Sequence, residues 1–388
     1  MTTTPQAVRR ASPRNRRRPA TPADPARPLL PGAQPVSLLD PSGAPLPART
    51  DYPEPPGDLL RELYRRMVIG RRFDTQATAL TKQGRLAVYP SSRGQEACQV
   101  GAVLAVRDTD WVFPTYRESM ALVSRGLDPV EVLTLLRGDW HCGYDPAARF
   151  TAPQCTPLAT QCVHAAGLAY GEAHQGRDTV ALAFIGDGAT SEGDFHEGIN
   201  FAAVFKAPVV YFVQNNQYAI SVPLSRQTAA PSLAYKGAGY GVPSEQVDGN
   251  DPVAVLAVLT RAVEHARAGN GPFLVEAHTY RMEPHTNADD ANRYRDGAEV
   301  DAWRDRDPIA RLEKYLRDRD ELDDDGVAAV AAEAEAYAAD VRERMNAQPT
   351  VDPLSLFDHV YAQPTPQLIE QREQVRAELA AAEQEGDA

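Results

Sequence analysis

The sequence has no run of 18 apolar residues, which excludes a helix apolar and long enough to span a bilayer. Cysteine is scarce as well. The four cysteines, at 98, 142, 155 and 162, form no C-x-x-C pair and follow no signal peptide, so they read as reduced thiols of a cytoplasmic protein. No internal repeat is visible. Positive charge is in deficit: the net charge is −13, with a mean hydropathy of −0.42. Residues 1–28 hold seven Arg and one Asp, a formal +6, which leaves −19 on the rest of the chain. Such a body is a poor general binder of nucleic acid, and only the basic tail could touch a polyanion. What the chain does have is length. Its 388 residues bury a core large enough to fold without a disulfide or metal staple.

Residues 1–57 carry 14 of the 32 prolines and almost no periodic apolar pattern, so a disordered or loosely docked arm is expected there. Its arginines (Arg9, Arg10, Arg14, Arg16, Arg17, Arg18) suggest a mitochondrial transit peptide, with the matrix as the alternative location. The prolines oppose the amphipathic helix that such a peptide needs, and a bacterial tail is the preferred reading.

From Asp58 the pattern turns helical, with Leu59, Leu60, Leu63, Tyr64 and Met67 at spacings of three and four. Further helices are expected over 94–106 and 116–137. Between 180 and 280, short apolar runs (VALAF, VVYFV, FLVEA) alternate with helical segments. Strand–helix alternation of this kind predicts right-handed βαβ units and a largely parallel sheet with flanking helices. The α/β domain is therefore placed at 58–307, and a helical extension at 308–388.

The stretch 179–221 carries the chemistry. A strand ends in Gly186-Asp187-Gly188, a helix is expected to open at Ser191 with Asp194 completing a capping box, and a second strand ends at Gln214-Asn215-Asn216. In a parallel βαβ unit Asp187 and Asn216 both emerge at the carboxyl edge, where open α/β sheets bind ligands. One carboxylate and one amide oxygen, with glycine on both sides of the aspartate, make a hard-oxygen site of the kind Mg²⁺ shares with phosphate oxygens. The helix N-terminus adds donors for an anion. Either turn alone is an ordinary strand-end turn; the pair in this strand–helix–strand setting is not. A dinucleotide site is disfavoured, because GDGATSEG lacks the G-x-G-x-x-G spacing.

With 26 residues between Gly188 and Asn215, the GDG/NN pair resembles the thiamine diphosphate signature. From about residue 58 to beyond 360 the chain resembles the α subunit of the decarboxylating component of 2-oxo acid dehydrogenase complexes. The resemblance implies the parallel-sheet thiamine diphosphate-binding fold. It also implies Mg²⁺ held by Asp187, Asn216 and the Tyr218 carbonyl, with Gly186, Gly188 and Ala189 against the cofactor. Tyr116-Arg117-Glu118 is similar to the family's diphosphate-binding motif, and an arginine fork suits phosphate oxygens. Thr156-Pro-Leu158-Ala-Thr160-Gln161 is similar to a segment that places its leucine beside the cofactor and its threonine and glutamine at a structural potassium site. Thr156 stands where serine is usual.

His285, after the FLVEA strand, matches the histidine that faces cofactor and lipoyl group, and is the expected catalytic residue. Thr286 occupies the place of a regulated serine in animal relatives. Gln214 replaces an arginine of those relatives, and His141 is the candidate to replace a substrate-side histidine absent from 138–155.

The implied reaction is oxidative decarboxylation of a 2-oxo acid, with acyl transfer to the lipoyl group of an acyltransferase component. A β subunit would complete the site in a heterotetramer of two α and two β subunits, because only one GDG/NN unit is present. The branched-chain substrate (3-methyl-2-oxobutanoate) is preferred to pyruvate. Acetoin dehydrogenase ranks third, and a silent scaffold with a nucleic-acid-touching arm last.

Overall fold

The computed structural model describes residues 29–139, 141–347 and 352–386. They fall into two compact units that divide after Arg344. The larger unit is built on a five-stranded parallel sheet of order β1-β2-β3-β7-β6. Its strands are β1 (Trp111–Phe113), β2 (Ala181–Gly186), β3 (Val209–Asn215), β6 (Ser244–Asp248) and β7 (Phe273–His278). A two-stranded antiparallel ribbon, β4 (Tyr218–Ala219) and β5 (Val222–Pro223), stands apart from the sheet.

Alternation along the strands sorts side chains to two cores. Leu182, Phe184, Val210, Phe212 and Val275 face the helices Glu96–Leu104 and Pro252–His265. Ala181, Ala183, Ile185, Val209, Tyr211 and Val213 face the helices Thr160–His174 and Gly193–Phe205. With both faces covered, the three central strands are apolar until they approach their carboxyl ends, where Gln214, Asn215, Glu276 and His278 lie. Those three are the strands that periodicity predicts. β1 and β6 escape it, one because it is three residues long and the other because SEQVD is a polar edge strand.

A third core joins Leu60, Leu63 and Met67 of the helix Gly57–Lys82 to Leu312 and Leu316 of the helix Pro308–Arg317. The helices after residue 307 thus begin inside the larger unit, and the buried Arg311 ties them to β6 through Asp248 at 2.9 Å. The helical stretch expected over 116–137 consists of two helices, Ser119–Ser124 and Pro129–Arg137, separated at Gly126, whose φ is +96°.

Residues 1–28 of the expected arm lie outside the described residues. In the remainder, Val36, Leu39 and Tyr52 are buried. Val36 pairs with β6, donating to the Gln246 carbonyl at 2.8 Å and accepting from Asp248 N at 2.9 Å. The amides of Leu38 and Leu39 both donate to Asp251 Oδ2 at 2.7 Å. The smaller unit contains the turn Pro353–Phe357 and the helix Pro366–Gly386, with Arg372 paired to Asp358 at 2.9 Å.

Candidate active site at the carboxyl edge of the sheet

β2 and β3 run in register, Gly186 opposite Gln214, so Asp187 and Asn216 leave neighbouring strand ends in the same direction. Both are buried. Gly188 is required here, because a Cβ on it would lie 2.6 Å from that of Ala219. The chain then makes the 3₁₀ turn Gly188–Ser191, and the helix starts at Gly193 after an extended Glu192. The capping box expected of Ser191 and Asp194 does not form. Ser191 is consumed by the tight turn, whereas an N-cap needs extended backbone, and Asp194 accepts instead from Thr160 Oγ1 at 3.4 Å.

The loop after Asn216 is strained. Gln217 and Ile220 have φ values of +75° and +56°, and a β-branched residue is rare in that region. Arg281 holds the loop from below. Its Nη1 donates to the Tyr218 carbonyl at 3.1 Å, and its Nη2 donates to the Ile220 carbonyl at 2.6 Å and to the Tyr294 hydroxyl at 2.9 Å. The carbonyl proposed as a metal ligand is therefore positioned by a buried guanidinium.

Opposite lies a cationic wall. Arg117 Nη1 donates to the Ser91 carbonyl at 2.8 Å, while Nη2 reaches His285 Nδ1 at 3.0 Å and the His285 carbonyl at 3.2 Å. The Tyr116 ring meets the His285 ring edge-on at 5.9 Å. Burial, and then the charges of Arg117 and Arg281, push the His285 pKa down to about 4, so the imidazole is neutral. Beneath this wall the buried Asp74 accepts from Ser92 N at 2.7 Å, Ser91 Oγ at 2.6 Å and Tyr89 OH at 3.0 Å. Glu118 is turned inward, accepting from Thr115 N at 2.6 Å and Gln214 Nε2 at 2.7 Å. Gln214 therefore binds a carboxylate and supplies no charge in place of the arginine of other relatives.

A cavity of about 470 Å³ joins the two walls. All ten residues assigned from the sequence to the cofactor or the metal line it: Tyr116, Arg117, Leu158, Gly186, Asp187, Gly188, Ala189, Asn216, Tyr218 and His285. Leu158, 40% exposed, and Ile220, 55% exposed, form its apolar lip. His141 is exposed, accepts from Gly143 N at 3.1 Å and is not among the lining residues. Sequence reasoning missed Gln95 in the cavity wall, the loop-holding role of Arg281, and Gln227, whose Nε2 donates to Asp187 Oδ2 at 2.6 Å. Glutamines carry no motif; the one available signal for Gln95 was a polar residue directly ahead of an apolar helix.

Among the described residues no group of three or more His, Cys, Asp or Glu side chains could hold a metal. The available donors are one carboxylate, one amide oxygen and one backbone carbonyl, a set that leaves room for phosphate oxygens on a hard cation. Burial raises the Asp187 pKa, against the hydrogen bond from Gln227 and the charge of Arg281. Gln95 Nε2 and Gln161 Oε1 are buried without partners among the described residues.

A parallel sheet with hard-oxygen donors and a cationic wall in one cavity at its carboxyl edge defines an α/β protein with its candidate ligand site at the strand ends. The chain belongs to the dehydrogenase E1 component family, whose model matches residues 64–354. It is 48% identical over 347 residues to the 3-methyl-2-oxobutanoate dehydrogenase subunit alpha of Mycobacterium tuberculosis, covering 89% of this chain and 95% of that protein. It is 38% identical over 324 residues to the pyruvate dehydrogenase E1 component subunit alpha of Acholeplasma laidlawii, covering 83% and 94%. The corresponding Staphylococcus aureus subunit is 39% identical over 325 residues, covering 83% and 87%. Membership makes this chain an α subunit of a 2-oxo acid dehydrogenase and implies use of thiamine diphosphate and a β subunit.

Proposed function

We propose that the chain is the α subunit of a thiamine diphosphate- and Mg²⁺-dependent enzyme that decarboxylates 3-methyl-2-oxobutanoate and passes the acyl group to the lipoyl group of an acyltransferase component. The observation that carries the reading is the convergence of Asp187, Asn216 and the Tyr218 carbonyl with Arg117 and His285 on one cavity. The 48% identity to a subunit named for that substrate, against 38% and 39% to pyruvate dehydrogenase subunits, favours the branched-chain acid over pyruvate.

Bound thiamine diphosphate supplies the electron sink for loss of carbon dioxide. The residues of the chain bind and orient. Asp187, Asn216 and the Tyr218 carbonyl would hold Mg²⁺, and Tyr116 and Arg117 would hold the diphosphate. His285, neutral and accepting at Nδ1, keeps its proton on Nε2, where it can donate to an oxygen during acyl transfer. Gln161 Oε1, buried and unpartnered, suits the potassium site.

The apolar lip of Leu158 and Ile220 suits cover by a β subunit that brings the acid needed at the aminopyrimidine, in an α₂β₂ assembly. The unpaired state of all four cysteines suits a bacterial cytoplasm. Co-expression with the β subunit, followed by artificial-acceptor rates with Mg²⁺ and thiamine diphosphate, tests the proposal. Turnover is expected to favour 3-methyl-2-oxobutanoate over pyruvate and to vanish for the α subunit alone. Preference for pyruvate would reassign the substrate, and full activity without the β subunit would overturn the shared site.

A further inference from the structure

We propose that Gln95 is a positioning residue of the cofactor site: its carboxamide sets which end of the Asn216 amide faces the metal, and its Nε2 donates to a diphosphate oxygen. The inference rests on the thiamine diphosphate–Mg²⁺ reading given above.

An asparagine can ligate a hard cation only through Oδ1. Rotating its amide by half a turn presents Nδ2 instead, in almost the same volume. Asn216 Nδ2 donates to Gln95 Oε1 at 3.2 Å, and its Oδ1 has one long contact, at 3.5 Å from Tyr218 N. Both side chains are buried, Gln95 completely. The Gln95 amide thus occupies the Asn216 nitrogen and leaves the oxygen for a cation.

Gln95 could itself turn over, and the two amides would still be hydrogen-bonded in the reversed sense. What distinguishes the two states is the other end of Gln95. In the observed state Nε2 is buried, lies in the wall of the cavity and has no partner among the described residues. A donor left in this condition is costly unless an acceptor arrives. In a cavity lined by Arg117 and Arg281, that acceptor is an anion. A bound diphosphate oxygen would fix Gln95 with its nitrogen toward the cavity. Gln95 would then fix Asn216 with its oxygen toward the cation, so each ligand prepares the site for the other.

The backbone of Gln95 leaves little alternative placement. Gly94 has a φ of +95°, and a Cβ there would lie 2.3 Å from the Tyr280 carbonyl. Gln95 N donates to the Ser92 carbonyl at 2.9 Å, and one turn later Gln99 Nε2 donates to the Arg117 carbonyl at 3.1 Å. One helix face therefore serves both the metal side and the diphosphate side of the cavity.

The test measures the thiamine diphosphate dissociation constant and the Mg²⁺ concentration for half-saturation by tryptophan fluorescence, using the full chain co-purified with its β subunit. Gln95→Met removes both functions of the amide. It is expected to raise both constants tenfold or more while leaving the melting temperature of the cofactor-free protein unchanged or higher. Gln95→Glu keeps the acceptor for Asn216 but replaces the donor with a negative charge; it is expected to weaken thiamine diphosphate further than Gln95→Met. Wild-type binding with both constants unchanged in both variants would overturn the role of Gln95 alone. A lower melting temperature with unchanged Mg²⁺ dependence would reduce it to a structural residue. A wild-type protein that binds no thiamine diphosphate would overturn the cofactor reading and this proposal with it.

Discussion

Arg117 Nη2 lies 3.0 Å from His285 Nδ1, so a permanent cation donates to the one ring nitrogen that a neutral histidine keeps as acceptor. Burial first, and this pairing second, keep the histidine uncharged, with its second nitrogen left protonated. His285→Ala should lower turnover of the complex by about 10²-fold or more, the usual contribution of a positioned proton donor.

The burial of His285 beside Arg117 and Arg281 sets a pH dependence. His285 has a folded pKa of about 4 against an ordinary 6.5, so between those values the unfolded chain binds more protons than the folded one. The stability it contributes is complete above pH 6.5 and is lost as the pH falls toward 4. Melting temperatures of the cofactor-free protein across this window should fall less steeply for His285→Gln than for wild type. Equal slopes would show that the histidine is not held neutral.

Asp187 accepts from Gln227 Nε2 at 2.6 Å, a charge-assisted bond that opposes the effect of burial on its carboxyl. Asp187→Asn should remove Mg²⁺-dependent cofactor binding. Gln227→Leu should weaken it more at the lower of two pH values than at the higher, because without that bond burial raises the carboxyl further. Titration of Mg²⁺ at the two pH values distinguishes these outcomes.

Gly188→Ala would place a methyl 2.6 Å from Ala219 Cβ, overpacking the contact between the turn after β2 and the β4–β5 ribbon. A cost of about 1–3 kcal/mol in stability is expected, with weaker cofactor binding because Asp187 and Tyr218 sit on either side of the contact. Gly193→Ala, where a methyl meets nothing within 4 Å, is the control. Chemical denaturation and cofactor titration of the two variants provide the comparison.

Asp251 gathers four backbone amides: Leu38 and Leu39 at 2.7 Å, Val253 at 3.1 Å and Ala254 at 3.0 Å. Asp251→Ala strands all four and removes one of the two carboxylates beside Arg311, which keeps Asp248, at a cost of about 3–5 kcal/mol. Urea denaturation should show the loss, and limited proteolysis should cut near residues 36–52 before the rest of the larger unit.

The parts of this molecule that could be read from sequence are those whose reasons are local. The GDG and NN turns end strands whose apolar runs announce them, and parallel pairing then places Asp187 and Asn216 side by side. His285 and Arg117 could be named because the motifs around them resemble those of a known family. Gln95 could not, because its role arises from a contact with Asn216, 121 residues away. The proline-rich segment before residue 57 reads as unpatterned, yet Val36 and Leu39 are buried, because their backbone partners belong to β6 and to Asp251, more than two hundred residues later. The capping box at Ser191 failed for the opposite reason: a local rule gave way to the tighter turn that brings Gly188 against Ala219.

Each edge strand of the sheet meets, through an isolated bridge, chain that is not itself strand. Val36 occupies the free side of β6, and the 150–152 backbone bonds to Val112 of β1. Unpaired strand edges are templates on which other chains polymerise, and a five-stranded open sheet has two of them. Segments that look expendable by composition therefore act as guards against self-assembly into aggregates. For recombinant work, a boundary drawn at the start of the first long helix would remove one guard and uncover β6.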